Sequence, residues 1–142
     1  MKKVVLILVL SISGLFISQK SKAQTISFCE SVKEDGQMVN PSSTYAITKK
    51  GGVINMLVTL DHKVDADKIV YKIFRVSDKG DQTLDQVIND NNVTPDWMWF
   101  YHELVIRSPG NYMVYVYPEG STKALATGMV HIVAAPKKKS KK

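Results

Sequence analysis

"IRSPGNYMVYVYPEGSTKALATGMVHI", Ile106 to Ile132, is the stretch whose reading decides the fold. Tyr112, Val114 and Val116 share one parity, and Met113, Tyr115 and Tyr117 take the other. That is the period of two expected of a strand, whose successive side chains point to opposite faces. Pro109-Gly110 before this run and "PEGST" (residues 118–122) after it are turn chemistry. Leu125–Ala134 then reads as the next strand.

The same pattern of short extended pieces and turns runs back through the chain. Thr25–Val32 is extended, "EDGQMVNPSS" (residues 34–43) is a polar connection, and Tyr45–Thr48 is a brief strand before "KKGG". Val53–Leu60 places Ile54, Met56, Val58 and Leu60 on one face, and Ile69–Val76 is rich in the β-branched and aromatic residues that strands favour. Thr83–Asn89 admits two readings: Leu84, Val87 and Ile88 stand at helical spacing, yet the segment also suits an edge strand. Residues 89–95, "NDNNVTP", form a loop, and Trp97–Arg107 is a further strand. Six or seven strands at regular spacing with little helix predict an all-β fold, an antiparallel sandwich or barrel.

The C-terminal stretch also carries a resemblance. Ile106, Pro109-Gly110 and Tyr112 opening a strand with Val114 and Val116 resemble the end of an immunoglobulin-like or fibronectin type III-like β-sandwich. In that family the tyrosine is the tyrosine corner, whose hydroxyl bonds back to the upstream chain. The resemblance implies a single Ig-like sandwich of about seven strands, with Tyr112, Pro109 and Gly110 in structural roles. It implies little about activity, because such folds host many functions.

Outside that domain lie two charged ends. Met1-Lys2-Lys3, the apolar run of 14 residues from Val4 to Ile17, and Ser21-Lys22-Ala23 read as a secretory signal peptide over residues 1–23, cut between Ala23 and Gln24. The run falls short of the ~20 residues that span a bilayer, so no transmembrane segment is expected after cleavage. The expected domain covers residues 24–135, followed by a disordered basic tail, residues 136–142, "PKKKSKK". The net charge of +6 belongs to these ends, since residues 24–136 carry ten Lys and Arg against thirteen Asp and Glu, or −3. A mildly acidic body argues against nucleic-acid binding, while the tail suits weak contact with anionic surfaces. A single cysteine, Cys29, excludes an internal disulfide and is either a small buried hydrophobe or a free thiol.

"PDWMWFYHEL" (residues 95–104) holds four of the twelve aromatic residues. On one strand, Met98, Phe100, His102, Leu104 and Ile106 face inward with the parity of Ile106, and Trp97, Trp99 and Tyr101 face solvent. The next strand turns Tyr115 and Tyr117 outward in the same way. Trp97, Trp99, Tyr101, Tyr115 and Tyr117 are therefore the candidate binding residues, because dense surface aromatics mark interaction sites. Two alternatives stay open: a bulge after Asp96 that buries the tryptophans, and strands in different sheets that split the patch.

No catalytic or metal constellation is legible. His62, His102 and His131 are isolated, "DHKVDAD" (residues 61–67) lacks the glycine and terminal glutamate of a calcium loop, and no nucleophile elbow or phosphate loop occurs. The sequence thus predicts an exported bacterial protein of the periplasm or cell exterior, non-catalytic and without cofactor or metal. It acts by binding a protein partner, with envelope polysaccharide as the alternative and a small hydrolase as a distant third.

Overall fold

The computed structural model describes residues 24–137; the expected signal peptide and the tail beyond Lys137 lie outside the described residues. Among these residues there is no helix, and ten strands follow one another: β1 (Thr25–Cys29), β2 (Ser31–Val32), β3 (Met38–Val39), β4 (Thr44–Ile47), β5 (Gly52–Thr59), β6 (Ile69–Val76), β7 (Gln82–Asp90), β8 (Trp99–Ile106), β9 (Gly110–Pro118) and β10 (Ala126–Ala134). Eight belong to one curled sheet in the order β7-β6-β9-β10-β1-β5-β8, with β4 also on β10, and β2–β3 form a separate hairpin.

The path is joined at its middle by one residue pair, Thr25 with Thr127. Around that joint the halves β7-β6-β9-β10 and β1-β5-β8 curl over each other, so the ring of Tyr71 on β6 comes within 5.5 Å of that of His102 on β8. Inward residues of both halves make a single core that includes Phe28, Met56, Val58, Tyr71, Ile73, Phe100, Leu104, Val114 and Val130. Most pairings are antiparallel, as the sequence predicts. The exceptions are β1 and β4, which both run parallel to β10 and share its free side. The first part of the domain therefore switches from one half of the sheet to the other, which strand spacing alone does not disclose.

The tyrosine corner is present. Tyr112 is buried and its hydroxyl donates a 2.6 Å hydrogen bond to the carbonyl of Ser108, four residues upstream. Arg75 completes it: its guanidinium stacks 5.4 Å from the Tyr112 ring centre and donates to the Pro109 carbonyl at 2.8 Å. Gly110 is required there, since its φ is +152° and an added Cβ would meet Arg75 Nη2 at 2.9 Å. These contacts and the strand order make the protein an Ig-like all-β domain.

Residues 83–89 are strand, not helix. Ile73 pairs with Gln86 while Phe74 pairs with Leu84, so Asp85 is an extra residue bulged out of β7. The bulge moves the parity by one, placing Leu84 and Val87 on the same outer face three residues apart. A strand with a bulge thus imitates the helical spacing.

Candidate functional site

β8 carries the aromatic cluster, and its alternation follows the sequence pattern. Phe100, Leu104 and Ile106 are buried, whereas Trp97, Trp99 and Tyr101 are 44%, 37% and 47% exposed. Met98 departs from its expected inward position and is exposed, because β8 begins only at Trp99 and nothing fixes the parity before it. His102, half-buried, sets its Nδ1 2.8 Å from the carbonyl oxygen of Glu103.

A cleft of about 660 Å³ runs along this part of β8. Trp97 to His102 make one wall, Asp90 and Asn92 at the end of β7 make the opposite one, and Glu34 closes a side from the β2–β3 turn. That turn is the segment the sequence shows only as a polar connection. It folds back over the outer face of β5 and β8, and Gly36 lies so close to the indole of Trp99 that an added Cβ would stand 3.1 Å from its ring carbons. The hairpin also explains why Asn55 and Leu57 are buried on the outer face: Asn55 donates from Nδ2 to the Glu30 carbonyl at 2.9 Å, just before the hairpin begins. Cys29 is buried nearby, and burial raises its thiol pKa, so it takes the first of its two readings as a small hydrophobe.

β8 is the last strand of the sheet path, paired with β5, and among the described residues no strand pairs with its other side. In an antiparallel ladder the N–H and C=O of one residue point the same way, alternating along the strand. Leu60 N–H donates to Met98 O at 2.8 Å, so the even-numbered residues of β8 face β5 and the odd-numbered ones face outward. Two outward carbonyls are already approached: Gln86 Nε2 on β7 donates to Val105 O at 2.9 Å, and the His102 ring stands against Glu103 O. The outward backbone groups of Trp99 and Tyr101 have no partner among the described residues and open on the cleft.

Two buried polar groups stand on β6 and β7 beside this cleft. Asp90 is 8% exposed, and its Oδ1 accepts the Asn92 N–H at 2.9 Å. Tyr71, fully buried beside His102, has a hydroxyl with no hydrogen-bond partner among the described residues. Burial first, and the Asp90 charge second, push its phenol far above the ordinary tyrosine range.

Tyr115 and Tyr117 are not part of this cleft. They stand on the outer face of β9, in the other half of the sheet, where the two rings stack at 6.4 Å. Phe74 meets Tyr115 edge-on at 5.5 Å, Gln82 accepts the Tyr115 hydroxyl at 2.9 Å, and the Lys72 ammonium lies 5.1 Å from the Tyr117 ring centre. The five sequence candidates therefore divide into three that line a cleft and two that pack on the opposite face. Asp90 and Glu34, which complete the cleft, come from segments with no motif of their own.

Elsewhere, the Asp61 carboxylate lies 2.6 Å from His62 Nδ1 and takes a hydrogen bond from Gln24, and the His62 contact first, then Gln24, holds its pKa down. Among the described residues no three His, Cys, Asp or Glu side chains are grouped to hold a metal ion. His102 and His131 stand on strands that are not neighbours.

A crystal structure of an immunoglobulin-like protein from Pseudomonas aeruginosa is similar to this chain at 11% sequence identity, covering 75% of this chain and 90% of that one with a TM-score of 0.47. No protein-family model matches the chain, and no curated protein matches it significantly.

Proposed function

We propose that this is an exported, non-catalytic binding module that captures a segment of a partner polypeptide along the open part of the β8 edge. The observation that carries the reading is the pair of unpartnered backbone positions, Trp99 and Tyr101, facing a cleft walled by aromatic side chains. An extended peptide placed there takes main-chain hydrogen bonds from those two residues and seats alternate side chains in the cleft, the strand-addition mode of recognition. Edge strands are normally blunted by bulges, charges or covering groups. The bulge at Asp85 does this on β7, and Gln86 and His102 do it on the second half of β8. Among the described residues the first half has no such guard. Export rests on the Val4–Ile17 run and Ser21-Lys22-Ala23 and puts the partner in the periplasm or outside the cell.

Envelope polysaccharide is the second reading, favoured by the exposure of Trp97, Trp99 and Tyr101 on one surface. Sugars stack on open ring faces, whereas the β2–β3 turn already sits against the Trp99 indole, which ranks the glycan reading below the peptide one. The test is a photo-crosslinker, p-benzoylphenylalanine, placed at position 101 or at position 117 in the producing cells. The expected result is a defined polypeptide adduct from position 101 and none from position 117. Equal labelling from both, or no polypeptide adduct at either, overturns the proposal; glycan-array binding lost in Trp97→Ala/Trp99→Ala then supports the second reading.

A further inference from the structure

The cleft holds carboxylates that no cation among the described residues neutralises. Glu34 and Asp90 are the two formally charged carboxylates in its lining, and neither joins an ion pair among the described residues, where the salt bridges are Asp61–His62, Lys63–Asp96 and Lys68–Glu119. Asp90 is more than nine-tenths buried. A buried carboxylate loses water and is costly unless it is paired and hydrogen-bonded. Here one oxygen takes the Asn92 N–H, and no cationic side chain among the described residues pairs with the carboxylate. Tyr71, whose phenol feels the Asp90 charge, carries the one buried polar side-chain atom without a hydrogen-bond partner among the described residues.

Three electron-rich rings face the same space. Trp97, Trp99 and Tyr101 line it and offer apolar surface to a methylene stem. A side chain with an aliphatic stem and a cationic head satisfies both features at once, and the two carboxylates reject an acidic one.

We infer that the peptide bound along β8 presents a lysine or arginine side chain into this cleft, where the cationic head pairs with Asp90 and Glu34 and the stem packs on the aromatic wall. This rests on the reading of the β8 edge as a peptide site and specifies its partner: an extended segment with a basic residue at the position whose side chain points into the cleft. Neighbouring residues of that segment point away from it and carry little charge selectivity.

The test is selection of a random heptapeptide phage library on the full exported chain and on Asp90→Asn, Glu34→Gln and Trp99→Ala/Tyr101→Ala variants, each shown by circular dichroism to keep its strands. Wild type is expected to enrich Lys or Arg at one register position at least threefold over the input library. Asp90→Asn abolishes that enrichment while still selecting apolar-alternating peptides, and the double aromatic variant selects nothing. Glu34→Gln, on an exposed turn, provides the same comparison without touching a buried group and is expected to weaken the enrichment. Wild-type selection without a basic preference, or one unchanged by both carboxylate variants, overturns the charge inference and leaves the peptide site standing. If wild type selects no peptide at all, the edge reading has failed and the inference falls with it.

Discussion

The hydroxyl of Tyr112 shows how one atom holds the crossover between the two halves of the sheet. Its bond to the Ser108 carbonyl is short and part-buried, so Tyr112→Phe removes it and is expected to cost about 1 kcal/mol. A urea midpoint unchanged from wild type would contradict that role. Tyr71 is the opposite case, a buried hydroxyl whose removal breaks no hydrogen bond. Tyr71→Phe is expected to be neutral or stabilising by up to about 1 kcal/mol, since an unsatisfied buried donor is itself costly. The same burial fixes a pH dependence. The folded-state pKa of Tyr71 is raised, so its contribution is intact below the unfolded-state value of about 10 and is lost as pH climbs from there toward the folded value. Alkaline titration followed at 295 nm should show this tyrosine ionising only as the protein unfolds, with stability falling above about pH 10. In Tyr71→Phe that part of the alkaline loss should be missing.

At the scale of elements, the β8 parity was legible because one face is buried: Ile106 and Tyr112 set the register, and Phe100 and Leu104 follow it. β7 was legible only as one of two readings, strand or helix, because the bulge at Asp85 converts its alternation into a spacing of three between Leu84 and Val87. The β2–β3 hairpin was hidden for a different reason. Its residues are polar and turn-forming, and only its docking on Trp99 gives it a structural place. Glu34 was invisible as a site residue because its cleft neighbours lie more than fifty residues away in sequence, and Asp90 because nothing in the polar run around it marks it as buried. Gly36 tests the docking. Its φ of +84° and its closeness to the indole mean that Gly36→Ala strains the turn by about 1–2 kcal/mol and lifts it from the ring. In a Trp97→Phe background, the remaining Trp99 emission should shift to the red, with the unfolding midpoint lowered by no more than that strain. An unshifted spectrum would mean that the turn does not pack on Trp99.

For the whole molecule, the curl of the sheet brings its two terminal strands, β7 and β8, side by side without joining them into a closed ladder. At one end the Gln86 amide reaches across to Val105; at the other the strands part and the cleft opens. Closure would have removed the edges. Incomplete closure leaves one short length of backbone free, between an aromatic wall and a buried carboxylate. A docking site on β8 requires that length to be open in the unliganded protein. Amide hydrogen exchange, resolved residue by residue by NMR, measures it most directly. The amides of Trp99 and Tyr101 are predicted to exchange orders of magnitude faster than those of Phe100, His102 and Leu104, which face β5. Equal protection at all five positions would mean that the molecule covers its own edge, and would contradict a docking site on β8.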